Sequence, residues 1–400
     1  MNAILDVRPE PRANATVATP RIVFLARSLR QGGAERQLVA LASGLHRHGW
    51  PVTVVCCYGG GIFEAELRNA GVPLVDLHKR GRWDVVGFLW RLLRALRASN
   101  ADLVHGYMPL GNLLALLARA ARPGTRVVWG VRSSTIDRGH RDWLSRLTFR
   151  MTCRAARLAH GIIANSNAGV AYHVAHGYPH ARMRVIPNGI DVSRFRFDAG
   201  GRERLRREWG VPDGCILVGL VGRIDRMKDH PTFLKAAAAL APHDRKWRFV
   251  CVGGGQPEFV AATRRAASRL GLDPRLRWAG PRSDMAAVYS ALDIAVSSSS
   301  GEGFSNVIAE AMACGRPCVV TDVGDSARIV GPCGSVVAAG DPAALAAAIE
   351  RIGTSLAEPG RAAELDAMAR ARIVDTYSLE ALLRNSEAAF RALCNEARSA

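Results

Sequence analysis

The decamer CILVGLVGRI, residues 215–224, is a continuous apolar run closed by a glycine and a charged turn. Such a run, rich in branched side chains, reads as a strand buried on both faces, as in a parallel sheet. Its position gives it weight, because it restarts an alternation of strands and helices that the first half of the chain has already completed. The segment between the two, MRVIPNGIDVSRF (183–195), is interrupted by Pro187, Asn188 and Gly189, and the charge balance changes there. A domain boundary is therefore expected at 190/191.

Working toward the N-terminus, strands are expected at 21–27, 51–58, 73–77, 102–107, 126–131 and 161–166, with helical patterns at 34–48, 86–98, 111–121 and 141–159. Toward the C-terminus, strands follow at 248–255, 276–281, 293–299, 317–324 and 334–339, then helices at 342–352, 360–375 and 379–397. Short apolar strands separated by helices of this length imply right-handed crossovers and parallel sheets covered on both faces. The expected fold class is α/β, with two Rossmann-like, doubly wound domains facing across a cleft.

The 400 residues are 48% hydrophobic, enough for a large core in two domains. No run is long and apolar enough to span a bilayer, and residues 1–20 lack the basic start and apolar centre of a signal peptide, so they read as a disordered leader. The nine cysteines show no paired ligand spacing and sit mostly in apolar runs, which suits buried thiols in a reducing compartment. A cytoplasmic protein is expected. The net charge of +19 is lopsided: residues 21–190 hold 24 Lys and Arg against 8 Asp and Glu, whereas 191–400 hold 28 against 25. A basic field on one half attracts nucleic acid, anionic lipid or an acidic substrate.

In a doubly wound sheet, ligands bind beyond the carboxyl ends of the strands, so motifs are sought there. After 21–27 come Gly32 and Gly33, ahead of a helix start whose free N–H groups can meet a phosphate; a flexible turn is the plain alternative. After 215–222 come Arg223 and Lys228, with Asp229 as helix cap. Two cations there suit a diphosphate, and a solvated basic loop is the alternative. After 293–299 come Glu302, Gly303, Phe304 and Ser305, the last expected to cap a helix running to about Cys314 and carrying Asn306, Val307 and Glu310. Glu310 lies too deep in that largely apolar helix to be a first-turn acid. Two carboxylates spaced in this way can accept hydrogen bonds from sugar hydroxyls, while the N–H groups at 305–307 take phosphate oxygens.

Arg223, Lys228 and the Glu302-x7-Glu310 stretch resemble the donor site of the family 4 retaining glycosyltransferases of the GT-B fold. The resemblance takes in QGGAE (31–35), VIPNGID (185–191) and TDVG (321–324). It implies that Arg223 and Lys228 hold the diphosphate of a nucleotide-sugar, Glu310 the ribose, Glu302 the donor hexose and Gly33 a phosphate, while Gly280 to Arg282 line the base. It implies transfer of a hexosyl or N-acetylhexosaminyl group with retention, with the proton passing to a donor phosphate oxygen. No metal or bound cofactor is expected, since fixed cations can carry the leaving-group charge, and a UDP-sugar is favoured over a GDP-sugar. The implied layout is an acceptor-side domain over 21–190, a donor domain over 191–375, and a segment 376–400 whose helix returns to the first domain. Where relatives often carry histidine, this chain has Arg132, and a single His105 stands where His-x-His is common. Both are candidates for the acceptor or sugar side, with a strand-end histidine satisfied by backbone as the plainer account of His105.

The acceptor is expected to be a lipid-linked sugar or a polysaccharide or lipopolysaccharide precursor. The basic helical segments 86–98 and 140–157 suggest peripheral contact with the inner face of an anionic membrane, although core packing accounts for each helix singly. A sugar-nucleotide 2-epimerase of the same fold is the competing enzyme, and an anionic-polymer-binding protein the competing class. No aromatic-basic interleaving supports nucleic acid.

Overall fold

The computed structural model describes residues 19–30, 32–81, 83–132, 143–242 and 246–395. The first half runs β1 (Ile22–Ser28), α1 (Gly33–Arg47), β2 (Val52–Tyr58), α2 (Glu64–Asn69), β3 (Leu74–Asp76), α3 (Val86–Ser99), β4 (Leu103–Tyr107), α4 (Met108–Ala115), α5 (Ala118–Ala121), β5 (Arg126–Val131), α6 (Trp143–Ala155), β6 (Gly161–Ala164), α7 (Asn167–Ala175) and β7 (Met183–Val185). The second runs α8 (Ala199–Glu208), β8 (Ile216–Val221), α9 (His230–Leu240), β9 (Trp247–Val252), α10 (Pro257–Arg269), β10 (Leu276–Gly280), α11 (Met285–Ala291), β11 (Ile294–Ser297), α12 (Asn306–Ala313), β12 (Cys318–Thr321), α13 (Ser326–Val330), β13 (Gly334–Val337), α14 (Pro342–Ser355), α15 (Arg361–Tyr377) and α16 (Leu379–Asn395).

Two parallel sheets result, of seven strands in the order β3-β2-β1-β4-β5-β6-β7 and six in the order β10-β9-β8-β11-β12-β13. Each order reverses once, between β1 and β4 and between β8 and β11. A crevice opens at such a reversal because the flanking crossovers leave to opposite faces. The loops after β1, β8 and β11 carry Gly32, Gly33, Arg223, Lys228 and Glu302, so the sequence motifs stand at the switch points of both sheets.

Sequence reading missed one strand and misplaced one helix. Met183–Val185, in the segment where the boundary is expected, pairs with β6 as an edge strand, too short before Pro187 to show a period. The helix expected over 111–121 starts at Met108 and breaks into α4 and α5 at Leu116 and Leu117. Residues 1–18 of the leader, 140–142 of the second basic segment, and 396 and 397 of the last helix lie outside the described residues.

Each sheet buries both faces. In the first, α1 and α16 cover one face, while α3 to α6 cover the other. α16 follows a helix of the second half yet packs on the first sheet, with Leu382, Leu383, Ala389, Phe390 and Leu393 in its core. That spacing is the apolar stripe of an amphipathic helix. The chain crosses between the halves twice, near Ile190 and near Ser378, and the crossings are bonded: Ile190 N donates to Tyr377 O (2.8 Å) and Leu379 N to Ile190 O (2.9 Å). Gly189 permits this, since a Cβ there would lie 2.8 Å from that of Leu382. No described helix is long and apolar enough to cross a membrane. None of the nine cysteines is in a disulfide, and six are buried.

Candidate donor site at the facing switch points

The loop after β8 is shaped by two tight requirements. A Cβ on Gly253, at φ 142°, would stand 1.9 Å from Gly222 O, so the ends of β8 and β9 meet only as bare backbone. Asp229 adopts φ 43° and caps α9, accepting from Thr232 N (3.3 Å) and the Thr232 hydroxyl (2.6 Å). Ser298, just past β11, ties the loop to the neighbouring strand by donating to Lys228 O (3.0 Å) and Asp229 O (2.9 Å).

Lys228 and Glu302 are both largely enclosed and form an ion pair, with Ser299 Oγ donating to the same carboxylate at 2.8 Å. Arg223 behaves differently. Its side chain is 75% exposed and reaches Asp225 at 3.0 Å, while the other oxygen of Asp225 accepts from Lys228 N. The two expected diphosphate cations thus share a loop but not a pocket wall.

Glu302 and Gly303 are pressed against a second loop. A Cβ on Gly324, at φ 60°, would lie 2.4 Å from Glu302 O. Phe304 is buried edge-on against Tyr377. Ser305 occupies the cap position of α12, as the sequence suggests, but its hydroxyl makes no capping bond and is buried without a protein partner. Backbone geometry rather than the serine side chain sets the helix start.

Glu310 is buried, accepts from the Tyr289 hydroxyl at 2.7 Å and lies 3.3 Å from Nη1 of Arg36, which comes from α1 of the other half. Burial raises its carboxyl above the ordinary value of 4.5, against the pull of the Tyr289 hydrogen bond and of Arg36. Tyr289 is pushed up by burial and then by this carboxylate.

Gly33 faces the start of α12 from across the cleft, where a Cβ would meet Nδ2 of Asn306 at 3.4 Å. Beside it runs a polar chain: Arg132 donates to the Tyr107 hydroxyl (2.8 Å) and to Asn188 Oδ1 (3.1 Å), and Asn188 donates to Asn306 Oδ1 (2.9 Å). Arg132 is therefore joined to the α12 start through Asn188. His105 is not at the cleft surface and is not held by backbone, contrary to both sequence accounts. It is fully buried among Phe24, Tyr107 and Phe390, neither ring nitrogen has a protein partner, and burial together with Arg132 holds it neutral. Arg282, after Gly280, is committed to a fork on Asp284 (2.9 and 2.8 Å) and to Glu208 (2.9 Å), so only the backbone of that loop is left to face a base.

Sequence reading missed four partners in this assembly: Arg36, Tyr107, Asn188 and Tyr289. Asn188 lay inside a quoted motif without a role, and Arg36 directly follows another. Tyr107 closes β4 and Tyr289 sits in α11; neither position carries a local signal, since each matters only through a partner distant in sequence.

Residues 31–194 match the family model described as Glycosyltransferase Family 4, and 216–355 match Glycosyl transferases group 1. A D-inositol 3-phosphate glycosyltransferase of Corynebacterium jeikeium is 34% identical over 180 residues, covering 42% of this chain and 43% of that protein. A GDP-mannose-dependent alpha-mannosyltransferase of Mycobacterium tuberculosis is 32% identical over 255 residues, covering 61% of each. The matched segments thus span about half the length of these relatives. The structure of HepE from Anabaena in complex with UDP superposes with a TM-score of 0.81 at 22% identity, over 93% of this chain and 100% of that one. That likeness establishes the shared two-domain GT-B fold.

Proposed function

We propose, for a chain that belongs to the group 1 glycosyltransferases with a family 4 N-terminal half, that it transfers a hexosyl or N-acetylhexosaminyl group from a nucleotide-sugar to an acceptor hydroxyl, with retention. One observation carries this reading: Lys228–Glu302 and Arg36–Glu310, two ion pairs in a single cleft, each place a carboxylate where a sugar ring's hydroxyls can replace a cation. Glu310 would take the ribose and Glu302 the hexose. Between them the unpaired N–H groups at the start of α12, the ammonium of Lys228 and the exposed guanidinium of Arg223 would receive the diphosphate.

The barrier lies in breaking the bond from the anomeric carbon to the diphosphate as an oxocarbenium-like centre develops. Positive charge fixed near the leaving group lowers it. The acceptor oxygen forms the new bond on the face the diphosphate leaves, and its proton passes to a phosphate oxygen of that leaving group. Lys228 and Arg223 carry the leaving charge in this reading without a metal ion. A UDP-sugar is the expected donor, with GDP-mannose, named for the M. tuberculosis relative, as its competitor. The expected acceptor is a lipid-linked sugar or a cell-surface glycan precursor.

The test is thermal stabilisation by a panel of nucleotide-sugars, with and without a chelator, alongside Glu310→Ala. A ligand at about a hundred times its dissociation constant adds about 2.7 kcal/mol to the folded state. Selective stabilisation by one base, unchanged by chelator and lost in the variant, supports the reading; silence across the panel overturns it. Product anomer, read by NMR, then tests retention.

A further inference from the structure

The helices α3, α4, α5 and α6 cover one face of the first sheet and contain seven arginines and no Asp or Glu. The helices on the opposite face carry Glu35, Glu64, Glu66, Glu380 and Glu387. Among the described residues from 83 to 158 the acids are Asp84 and Asp102, and each is paired with an arginine, Arg91 and Arg122. The basic excess of the first half is therefore concentrated on one surface.

That surface is also apolar where apolar side chains should be hidden. α6 turns Phe149 and Thr152 inward, Phe149 against Tyr172 and His176. Its other side repeats Trp143, Leu147 and Met151 at every fourth residue, all exposed, with Arg146, Arg150 and Arg154 as the adjoining stripe. α3 buries Phe88, Leu92 and Leu96 but leaves Trp90 61% exposed under the guanidinium of Arg94 (5.4 Å), with Trp83 89% exposed just before the helix. Trp143 is 70% exposed. In a parallel sheet the connecting helices run back along the strands, so α3 and α6 begin at the strands' carboxyl edge. Trp83, Trp90 and Trp143 therefore lie toward the rim of the cleft.

We propose that this face docks on an anionic lipid bilayer, with Trp83, Trp90, Trp143, Leu147 and Met151 seated at headgroup depth and Arg150 and Arg154 on lipid phosphates. Indole rings favour that depth, and a helix with one apolar and one arginine-rich stripe lies in the interface plane. A soluble acid-rich partner would satisfy the charge but not the apolar row; the bilayer satisfies both. The docking deepens the transferase reading, on which it rests only for the acceptor, by placing the cleft mouth at the membrane surface where a lipid-linked acceptor would enter.

The test is flotation of the full chain with vesicles of phosphatidylglycerol and phosphatidylcholine, compared with phosphatidylcholine alone, at low and high salt. Binding is expected to the anionic vesicles and to weaken with salt. Trp143→Ser/Leu147→Ser/Met151→Ser should weaken it by about tenfold or more. Arg150→Gln/Arg154→Gln should weaken it by about fivefold per arginine, which keeps the test decisive if the triple variant does not fold. Nucleotide-sugar stabilisation serves as the separate readout of the donor site: its loss with flotation intact counts against the transferase alone. Absence of flotation at low salt, flotation that both variants leave unchanged, or a dimer in solution dispersed by the same substitutions would each overturn the docking.

Discussion

Glu310 meets two demands that conflict without a ligand. Its place deep in α12 keeps water out, yet a carboxylate there needs donors, which Tyr289 and Arg36 supply. Because burial raises its folded-state pKa above the unfolded value, the folded protein holds the proton more tightly. Its contribution to stability is then full below the ordinary glutamate range and is lost as pH rises through the raised value. Ribose hydroxyls donate to the anion, so below that raised value nucleotide binding must displace the proton. Nucleotide affinity should therefore rise with pH above the ordinary glutamate range in the native protein, whereas calorimetric titration of Glu310→Gln should show weak binding without that slope. Lys228 gives a second prediction at this scale. Lys228→Ala removes a leaving-group cation and leaves Glu302 without its ammonium, so kcat should fall by about a hundredfold to a thousandfold. Single-turnover kinetics at saturating donor checks this.

At the scale of elements, the pattern of strands and helices was legible because both periods are local. β8 and β11 show as apolar runs, and α12 as an apolar helix closed by Gly315. Less legible were β7, too short to display a period, and the break between α4 and α5, whose sequence MPLGNLLALLARAA continues apolar through it. For α16 the apolar stripe was visible, but its destination came only from the family resemblance, since any core accepts such a stripe. In the structure Phe390 stands edge-on to Phe24 (6.4 Å) and Trp50 (6.5 Å). Phe390→Ala should cost about 3 to 5 kcal/mol, read by urea unfolding, and it should destabilise the first half although its residue lies at the far end of the chain.

At the scale of the molecule, few polar contacts join the halves among the described residues. Asp325, in the second half, accepts from Asn167 N (2.8 Å), Asn167 Nδ2 (2.9 Å) and Ala168 N (2.9 Å), capping α7 of the first half across the cleft. Arg36–Glu310 and Asn188–Asn306 are the other contacts of this kind described above. The hinge at Ile190 and Leu379 stays bonded within itself. Domain closure by such a hinge changes a few backbone angles and leaves each core intact. Asp325→Ala should thus enlarge the radius of gyration in small-angle scattering while moving the unfolding midpoint little; an unchanged scattering curve would show that the cap does not hold the halves together.

The sequence alone determined the two doubly wound domains, the loops that carry Lys228 and Glu302, and the helices that carry Gly33 and Glu310, because periodicity, glycine placement and charge are all properties of neighbouring residues. Tertiary structure decided what those residues touch. It paired Lys228 with Glu302 and Arg36 with Glu310, joined Arg132 to Asn306 through Asn188, buried His105 without a partner, and left Trp83, Trp90 and Trp143 facing solvent. The physical reason is common to all of these: hydrogen bonds and burial depend on groups brought together from segments as far apart as 274 residues, and no local pattern records which segment arrives.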